Sequence, residues 1–598
     1  MKSASLLLVF VLAKLMVVWG HAEPFTVWSL VAYSWQDVML ALAFGAFEIA
    51  MRKIGASTRI VWAAYWGIVA YAAINIPVGR AVSTPLTRPM LRAARGPLAD
   101  SMRLYLTATN ILLVLFVLAA AACLPRLLRR TPRRFALFAA TCAIAIVLLG
   151  PLASTHVDTH GMDRNIVTAL IGAGLPHAST GARTKDWRES RFEFERAEDL
   201  SHFRGAARDY NVVMISLEST AAQYLSLYGS GYAVMPNLSR LAQTALVFEN
   251  AYAVYPESIK GLYSVLCSTS PAFDSQPEEY ANLGCRSVAS VLREAGCRTA
   301  MFHSGRFGYL GMESIIRNRG YQTLEDAGDI GGNHNSSFGV DEPATVARML
   351  AWVDALPRGQ HFFLTYLPIA GHHPYATPEP GPFLGPTEMD QYRNALHYGD
   401  VSLGALIEGL RVRGFGQNTV WVIYGDHGEA FHQHQGNYGH TFFLYEENVH
   451  VPFLIAAPGL LSGEQRVHKV MSLVDTAPSI LDVLGIAPPA NYQGHSVLSS
   501  TPRMALFFAD YSLGLLGLRD GRWKFVYEIE SGRVKLFNLE TDPGELSNVS
   551  TSQPTRVAWY SEIVRGWSSA QKTHISRAGI QSSPPDFTAA EHFPKARR

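Results

Sequence analysis

The sequence predicts a bundle of about five transmembrane helices, followed by an extracytoplasmic α/β domain with a mainly parallel sheet and a small β-rich subdomain. Three observations support this prediction. Hydrophobic residues make up 48% of the 598-residue chain, and most of the excess lies before about residue 154. From about residue 211, continuous apolar runs alternate with amphipathic stretches, as in a buried parallel sheet with covering helices. After about residue 500, the apolar runs become shorter and turns separate them.

A chain of this length is too long for one compact domain, since about 100–200 residues per domain is usual. We predict a transmembrane domain over 1–154, a juxtamembrane linker over 155–210, a catalytic domain over 211–500, and a subdomain with a tail over 501–598. The formal net charge is only +2, so no broad basic surface indicates a nucleic acid partner.

The first part contains several apolar stretches, most of which reach the roughly 20 residues that a helix needs to cross a bilayer. They lie at about 4–20, 27–51, 60–79, 104–124 and 135–153. The loop "PRLLRRTPRR" at 125–134 holds five arginines, which places it in the cytoplasm by the positive-inside rule. Alternation from this loop places everything after residue 154 outside. We therefore expect a multi-pass protein of the inner (cytoplasmic) membrane with its catalytic domain outside the cytoplasm.

Two features of this region leave alternatives open. The first stretch also resembles a cleavable signal peptide, because Lys2 and an apolar run precede "GHA"; an uncleaved helix is the preferred interpretation. The loop 80–103 carries five arginines although alternation places it outside. We expect it to lie as an amphipathic helix on the membrane surface.

Five cysteines are divided between the two environments. Cys123 and Cys142 fall in apolar stretches, where cysteine serves as a small apolar residue. Cys267, Cys285 and Cys297 fall outside, where disulfides persist. We predict a disulfide between Cys267 and Cys285, which would close a short loop. The sequence contains no CxxC pair that would indicate a thiolate metal site.

Chemically active side chains follow several predicted strands, where the active sites of open α/β sheets form. They are Glu218 after 211–217, Asp426 and His427 after 419–425, His372 and His373 after 361–367, and His303 at the end of 297–303 with Arg306 close behind. Any one of these alone is more often a loop residue than a ligand. Together, their oxygen and nitrogen atoms suit zinc or manganese better than calcium, which prefers oxygen alone.

Several motifs in order along residues 211–550 resemble the alkaline-phosphatase superfamily, and more narrowly its sulfatase-like branch. They are "NVVMISLEST…MPNLSRLA", the serine segment "YPESIKGLYSVLCS", "HHPY", "DHGE…GH…LYEENVHVP" and "LRDGRWKFVY…LFNLETDPGELSN". The apolar stretches before them further resemble lipoteichoic acid synthases and related phosphoglycerol and phosphoethanolamine transferases.

The resemblance implies one divalent metal ion, zinc or manganese with magnesium as a third option. Its ligands would be Glu218, Ser258, Asp426 and His427. The resemblance also implies that His372 and His440 contact the substrate or the leaving group. We add His303, Arg306 and Lys260 as candidate phosphate contacts, because the first two follow a predicted strand and Lys260 lies beside Ser258.

Ser258 is the predicted nucleophile. The segment "SIKGL" lacks the proline and the arginine of the C/S-x-P-S-R segment that sulfatases convert to formylglycine, so we expect Ser258 to act as serine. A bound cation would lower the pKa of its hydroxyl, and backbone N–H groups of the following helix would hold the anion. The alternatives are that Ser258 only caps a helix, or that Ser264, Ser268 or Thr269 is the nucleophile.

The predicted function is a metal-dependent membrane phosphotransferase. It would move a phosphoglycerol- or phosphoethanolamine-type headgroup from a membrane phospholipid to a cell-envelope glycan, polymer or lipid, through a covalent phospho-Ser258 intermediate. The alternative is a sulfatase or phosphodiesterase, which the carboxy-terminal motif "LRDGRWKFVY…LFNLETDPGE" favours. A non-catalytic scaffold is a third hypothesis, and it is disfavoured because every expected site position is filled.

Overall fold

The computed structural model describes residues 2–19, 26–93, 105–128, 132–172, 186–193, 198–332 and 339–581. Helices predominate before residue 173. They are α1 (Lys2–Val18), α2 (Val27–Lys53), α3 (Thr58–Val82), α4 (Arg88–Ala93), α5 (Ala108–Leu127), α6 (Arg133–His156) and α7 (Ile166–Gly172). Side chains that precede the long helices define where they begin: Ser57 accepts a hydrogen bond from the backbone N–H of Arg59, and Thr107 accepts one from that of Asn110.

Four helices of the described part are long and apolar enough to cross a membrane, so the protein is a membrane protein with fewer candidate spans than the five predicted. They are Val27–Lys53, Thr58–Val82, Ala108–Leu127 and Phe138–His156. The remaining helix, α1, has 17 residues. At about 1.5 Å per residue it is shorter than the hydrocarbon core of about 30 Å. Helix α1 packs against α2, α3 and α5 and buries Leu6, Val9 and Phe10.

An eight-stranded sheet forms the centre of the second part, in the order β10-β2-β9-β6-β1-β5-β3-β4. The strands are β1 (Asn211–Leu217), β2 (Ala245–Tyr252), β3 (Arg298–His303), β4 (Thr323–Glu325), β5 (Phe362–Leu367), β6 (Thr419–Gly425), β9 (His450–Ala456) and β10 (Gln465–Ser472). Strands β6, β1, β5, β3 and β4 run parallel, while β9 runs antiparallel to both β6 and β2. Two short strands, β7 (Ala430–Phe431) and β8 (Tyr438–Gly439), pair separately.

Helices cover both faces of the sheet, which explains why β1, β5 and β6 are buried along their whole length. On one face lie α9 (Ser258–Cys267), α10 (Val288–Glu294), α11 (Met312–Ile316) and α16 (Thr476–Val483). On the other lie α8 (Pro236–Ala242), α13 (Glu342–Asp354) and α14 (Glu388–Leu410). Two further short helices are α12 (Ala327–Ile330) and α15 (Glu446–Val449).

A four-stranded antiparallel sheet follows, and it confirms the predicted carboxy-terminal β subdomain. Its strands are β11 (Ala505–Ala509), β12 (Leu515–Asp520), β13 (Trp523–Glu528) and β14 (Val534–Asn538). Helix α17 (Pro554–Gln581) packs Tyr560, Val564 and Trp567 onto this sheet. The predicted fold class is therefore confirmed, whereas the four domain boundaries stay predictions.

Residues from the two parts contact each other directly. Thr87 Oγ1 donates a hydrogen bond to the Tyr511 carbonyl oxygen at 2.7 Å, and Arg164 Nη1 donates one to the Ser512 carbonyl oxygen at 2.8 Å. The start of α4 thus lies against the carboxy-terminal β subdomain. The expectation of an amphipathic helix on the membrane surface did not include this contact with protein. Residues 94–103 of that loop, Arg129 and Arg130 of the predicted cytoplasmic loop, and 173–185 of the predicted linker lie outside the described residues.

The predicted disulfide between Cys267 and Cys285 is confirmed. It joins the last residue of α9 to the segment that leads into α10, so it fixes the end of the helix that begins at Ser258. Cys123, Cys142 and Cys297 are free.

Candidate active site

Four neighbouring parallel strands bring the predicted site residues together. Strands β6, β1, β5 and β3 are adjacent in the sheet, so their carboxyl ends share one edge. Glu218, Asp426 and His427 follow β1 and β6, His372 follows β5 and His303 ends β3. The backbone N–H of Asp426 donates to the Leu217 carbonyl oxygen at 3.1 Å, which holds the ends of β1 and β6 together.

Three of these residues form a compact ligand set. One ligand atom from each of Glu218, Asp426 and His427 lies within 4.8 Å of the other two, and all three residues are buried. His427 Nε2 is 3.6 Å from Glu218 Oε1 and 3.5 Å from Asp426 Oδ2. His427 Nδ1 donates to the Gly428 carbonyl oxygen at 2.9 Å, so the lone pair of Nε2 faces the two carboxylates. A side chain at Gly428 is excluded, because a Cβ there would lie 2.0 Å from the Glu447 carbonyl oxygen.

Ser258 Oγ lies beside this ligand set. It is 3.0 Å from Glu218 Oε2 and 3.2 Å from His427 Nε2. Ser258 is the first residue of α9, and the capping residue is Glu257, whose carboxylate accepts from the backbone N–H groups of Ile259 and Lys260. The alternative that Ser258 only caps the helix is therefore wrong. Those two N–H groups are already bonded to Glu257, so they are not the expected anion donors.

The electrostatics of the site favour a cation. Burial and the charge of Asp426 raise the pKa of Glu218 to about 8. Burial would lower the pKa of His427, but the carboxylates of Asp426 and Glu218 raise it above its ordinary value. Both shifts show that the two buried carboxylates attract additional positive charge. A divalent ion among these oxygen and nitrogen donors would supply that charge.

A histidine–carboxylate pair stands next to the ligand set. His440 Nδ1 lies 2.7 Å from Glu429 Oε2, and the His440 ring stacks on the His427 ring with 4.1 Å between the centroids. Tyr375 donates its hydroxyl proton to Glu429 Oε1 at 2.7 Å. Burial would raise the pKa of Glu429, but His440 and these hydrogen bonds hold it below its usual value. Glu429 thus orients the His440 ring, which lines the cavity that contains Ser258.

His372 differs from His440 in its hydrogen-bond partner. Its Nδ1 donates to the His373 carbonyl oxygen at 2.7 Å, and burial lowers the pKa of His372 to about 4. His372 is therefore neutral at pH 7, and its Nε2 can accept a hydrogen bond from a substrate hydroxyl. The two predicted substrate histidines both line the cavity in front of Ser258.

The three remaining candidate phosphate contacts lie in two different cavities. His303 and Arg306 line the same cavity as Ser258, and His303 Nδ1 donates to the Leu367 carbonyl oxygen at 2.9 Å. Lys260 does not line it. The Lys260 ammonium is bonded to Asp510 at 2.8 Å and lies 4.0 Å from the centre of the Tyr255 ring, so it lines an adjacent cavity instead.

The cavity in front of Ser258 has a volume of about 340 Å³ and two contrasting walls. One wall carries Glu218, Ser258, His372 and His440. The other comes from the membrane part of the chain and is apolar. It consists of Val78 and Val82 at the end of α3, with Leu86, Met90 and Tyr105. Tyr105 also donates its hydroxyl to Tyr438 at 3.1 Å, which fixes this wall to the α/β domain.

Comparison with known families agrees with this geometry. Residues 210–486 match the family model described as Sulfatase, and residues 435–561 match the model described as N-sulphoglucosamine sulphohydrolase, C-terminal. Residues 210–486 belong to the sulfatase family. The predicted resemblance to the sulfatase-like branch is thus confirmed.

Two kinds of relative match parts of the chain. Arylsulfatase K from Bos taurus is 33% identical over 174 residues, which cover 26% of this chain and 32% of that protein. Lipoteichoic acid synthase 2 from Bacillus subtilis (strain 168) is 24% identical over 301 residues, which cover 47% of this chain and 46% of that protein. The chain thus spans about a third to a half of the length of these relatives.

Two solved structures share the fold of the sulfatase-family domain. The lipoteichoic acid synthase LtaP from Listeria monocytogenes has a TM-score of 0.50 at 17% identity, and covers 65% of this chain and 97% of its own. A protein of the alkaline phosphatase superfamily from Vibrio parahaemolyticus has a TM-score of 0.53 at 17% identity, and covers 67% of this chain and 95% of its own. Members of this superfamily use a divalent metal ion, and the donor set of Glu218, Asp426 and His427 fits one.

Replacing Glu429 with glutamine is expected to lower kcat about 10²-fold. This is the lower end of the rate increase that general acid–base catalysis provides. Glutamine keeps a hydrogen bond to His440 but removes the negative charge beside that ring. The measurement is kcat with a soluble chromogenic phosphodiester.

Tyr375→Phe is the matched control for this prediction. It removes the hydroxyl that donates to Glu429 Oε1 but leaves the carboxylate in place. We expect a change in kcat of less than about threefold, since the charge beside His440 is kept. An unaltered kcat in Glu429→Gln would contradict a catalytic role for the contact between Glu429 and His440.

Proposed function

We propose that this protein is a metal-dependent phosphotransferase of the inner membrane. It moves a phospho-headgroup of the phosphoglycerol or phosphoethanolamine type from a phospholipid to a cell-envelope acceptor outside the cytoplasm, through phospho-Ser258. One observation carries the proposal. A single cavity contains Ser258 beside a metal-ligand set, and side chains from the membrane part form an apolar wall of that cavity. Such a wall suits a lipid donor, whose acyl chains must remain in an apolar environment.

The first half of the reaction breaks the donor. Ser258 Oγ forms a bond to phosphorus while the bond between phosphorus and the diglyceride oxygen breaks, and the Ser258 hydroxyl proton passes to solvent. The leaving oxygen takes a proton from His440 Nε2, and the contact of Nδ1 with the Glu429 carboxylate orients the ring for this step. The released diglyceride stays in the bilayer beside Val78 and Val82.

The second half transfers the group. The acceptor hydroxyl oxygen bonds to phosphorus while the bond from phosphorus to Ser258 Oγ breaks. His440, now neutral, takes the acceptor proton, and Ser258 regains a proton from solvent. Neutral His372 accepts a hydrogen bond from a substrate hydroxyl through Nε2. When bound by Glu218, Ser258, Asp426 and His427, a zinc or manganese ion, or magnesium, would polarise the phosphoryl oxygen and acidify the Ser258 hydroxyl.

The proposal is tested by mass spectrometry of the Ser258-containing peptide after incubation of the full-length protein with membrane phospholipids. We expect an adduct on Ser258 whose mass equals a phospho-headgroup, because the second half cannot proceed without an acceptor. Chemical quench without lipid serves as the control. An aldehyde at position 258 would instead show formylglycine and overturn the phosphotransferase in favour of a sulfatase.

A sulfatase or phosphodiesterase is the second candidate, and specific observations favour it. The chain is 33% identical to arylsulfatase K over 174 residues, and residues 435–561 match a sulphohydrolase carboxy-terminal model. The same Ser258, His440 and ligand set would serve either enzyme. The apolar wall distinguishes the two candidate functions, because a soluble ester has no acyl chains that would bind there.

Replacing Val82 with serine is therefore expected to slow diglyceride release from phospholipid about tenfold, while turnover of a soluble chromogenic diester changes less than about twofold. Val82 lines the cavity from the end of α3. Ile74→Ser is the control, because Ile74 lies on the same helix but is exposed on the bundle surface. Equal loss with both substrates would contradict a lipid-binding role for the wall.

A further inference from the structure

A second cavity of about 410 Å³ adjoins the catalytic one and has a different character. The two cavities share Glu257, Leu310 and Tyr511, so the second begins one residue before the nucleophile Ser258. Its volume lies in the range of about 300–1,000 Å³ that is typical of small-ligand sites. Most of its remaining lining is charged or carries hydrogen-bonding groups, including Arg88, Arg92, Asp274, Ser275, Gln276 and Lys572.

The basic side chains of this cavity are not equivalent. Lys260 is neutralised by Asp510, which contacts its ammonium at 2.8 and 3.0 Å. Arg88 and Arg92 are exposed, and no carboxylate among the described residues pairs with either guanidinium. They are four positions apart on α4, so both guanidinium groups lie on one side of that helix. The cavity thus contains two arginines whose guanidinium groups can bind an anion.

Helix α4 is held in this position by contacts that do not involve the arginines. Thr87, just before it, donates to the Tyr511 carbonyl oxygen, and Met90 packs on a buried apolar cluster that includes Phe442 and Phe507. Met90 faces the catalytic cavity, whereas Arg88 and Arg92 face the second one. The same short helix therefore provides part of the apolar wall and the charged edge of the neighbouring cavity.

We infer that the second cavity is the acceptor subsite, and that Arg88 and Arg92 bind a phosphate or carboxylate group on a polyol or sugar acceptor. This inference rests on the proposed phosphotransfer. The apolar cavity receives the lipid donor, and the polar cavity directs an acceptor hydroxyl toward phospho-Ser258. Guanidinium groups suit such anions because their N–H groups match two oxygens at once.

The first test separates the two half-reactions in the full-length protein. In Arg88→Gln/Arg92→Gln, the KM for sn-glycerol 3-phosphate as acceptor is expected to rise about tenfold or more, since charge-assisted hydrogen bonds are lost. The first-turnover burst of diglyceride release from phospholipid and the KM for uncharged glycerol should change less than about twofold. Arg293→Gln is the control, because Arg293 is an exposed arginine outside both cavities.

Two outcomes would overturn the inference. An unchanged KM for sn-glycerol 3-phosphate in the double variant would show that Arg88 and Arg92 do not bind the acceptor. Slower diglyceride release from an anionic phospholipid, with an unchanged acceptor KM, would assign the pair to a lipid headgroup instead.

A binding measurement distinguishes failure of this inference from failure of the proposed function. The full-length Asp426→Asn variant in neutral detergent is titrated with sn-glycerol 3-phosphate, because this variant lacks a working catalytic centre. Binding should persist, and its Kd should rise at least about fivefold when Arg88 and Arg92 are also replaced. No binding to Asp426→Asn would overturn the acceptor subsite even if phospho-Ser258 forms. Binding without any Ser258 adduct in the wild type would contradict the phosphotransferase and leave the anion subsite supported.

Discussion

Replacing Ser258 with alanine is expected to reduce turnover about 10⁴-fold or more, because no nucleophile remains to form the covalent intermediate. The Glu218, Asp426 and His427 side chains are unaltered, so one divalent ion per chain should still bind. Turnover is measured with phospholipid and with a soluble diester, and metal content by elemental analysis. Loss of both activity and metal would show that Ser258 acts mainly as a ligand.

The rival hydroxyls provide a control. Ser264 Oγ donates to the Gly261 carbonyl oxygen at 2.6 Å, Ser268 Oγ to that of Val474 at 2.8 Å, and Thr269 Oγ1 to that of Cys267 at 3.0 Å. None of the three lines the cavity that contains Ser258. Ser264→Ala should therefore keep turnover within about threefold, as expected for a substitution away from the reacting atoms. Activity that survives in Ser258→Ala would place the nucleophile elsewhere.

Replacing Asp426 with asparagine is expected to remove the metal ion and to lower turnover about 10³-fold, since metal polarisation of the phosphoryl group is lost. Asp426 Oδ1 accepts from the backbone N–H groups of Ser219 and His427, and Oδ2 faces His427 Nε2. Asparagine occupies the same space without the charge. The protein should fold, because the substitution removes one of two mutually repelling buried carboxylates.

Thermal unfolding gives an independent readout of the same change. Added zinc or manganese should stabilise the wild type by about 4 kcal/mol at 1,000 times its Kd, and should not stabilise Asp426→Asn. Asp400→Asn is the matched control, because Asp400 is also buried but accepts hydrogen bonds from Asn237 and Leu238 near α8. Metal-dependent stabilisation of Asp426→Asn equal to that of the wild type would exclude Asp426 as a ligand.

The fold and the centre of the site could be predicted from local sequence patterns. Apolar runs indicate buried parallel strands, and polar residues at the ends of these runs indicate the edge of the sheet where a site forms. This reasoning found Glu218, Asp426 and His427, because strands β1 and β6 are adjacent in the sheet. The disulfide between Cys267 and Cys285 was predicted, but the pattern alone did not require it. Cys123 and Cys142 fall in membrane helices, whereas Cys297 remained a third candidate outside them.

Features that depend on distant packing could not be predicted. Glu429 stands in the "DHGE" motif, but its pairing with His440 depends on how the β7–β8 hairpin folds back. Lys260 is adjacent to the nucleophile in the chain, yet Asp510, 250 positions later, determines where its ammonium lies. The apolar character of Val78 and Val82 fits a membrane helix equally well whether they face lipid or line a cavity.

The apolar wall from the membrane part also lines the cavity through which solvent would approach Ser258. A fragment that begins after residue 172 would lack Val78, Val82, Leu86, Met90 and Tyr105, all of which enclose the cavity in front of Ser258. On the proposed mechanism, bulk water would then compete with the acceptor for phospho-Ser258. We therefore expect such a fragment, unlike the intact chain, to pass its group to water and to act as a hydrolase.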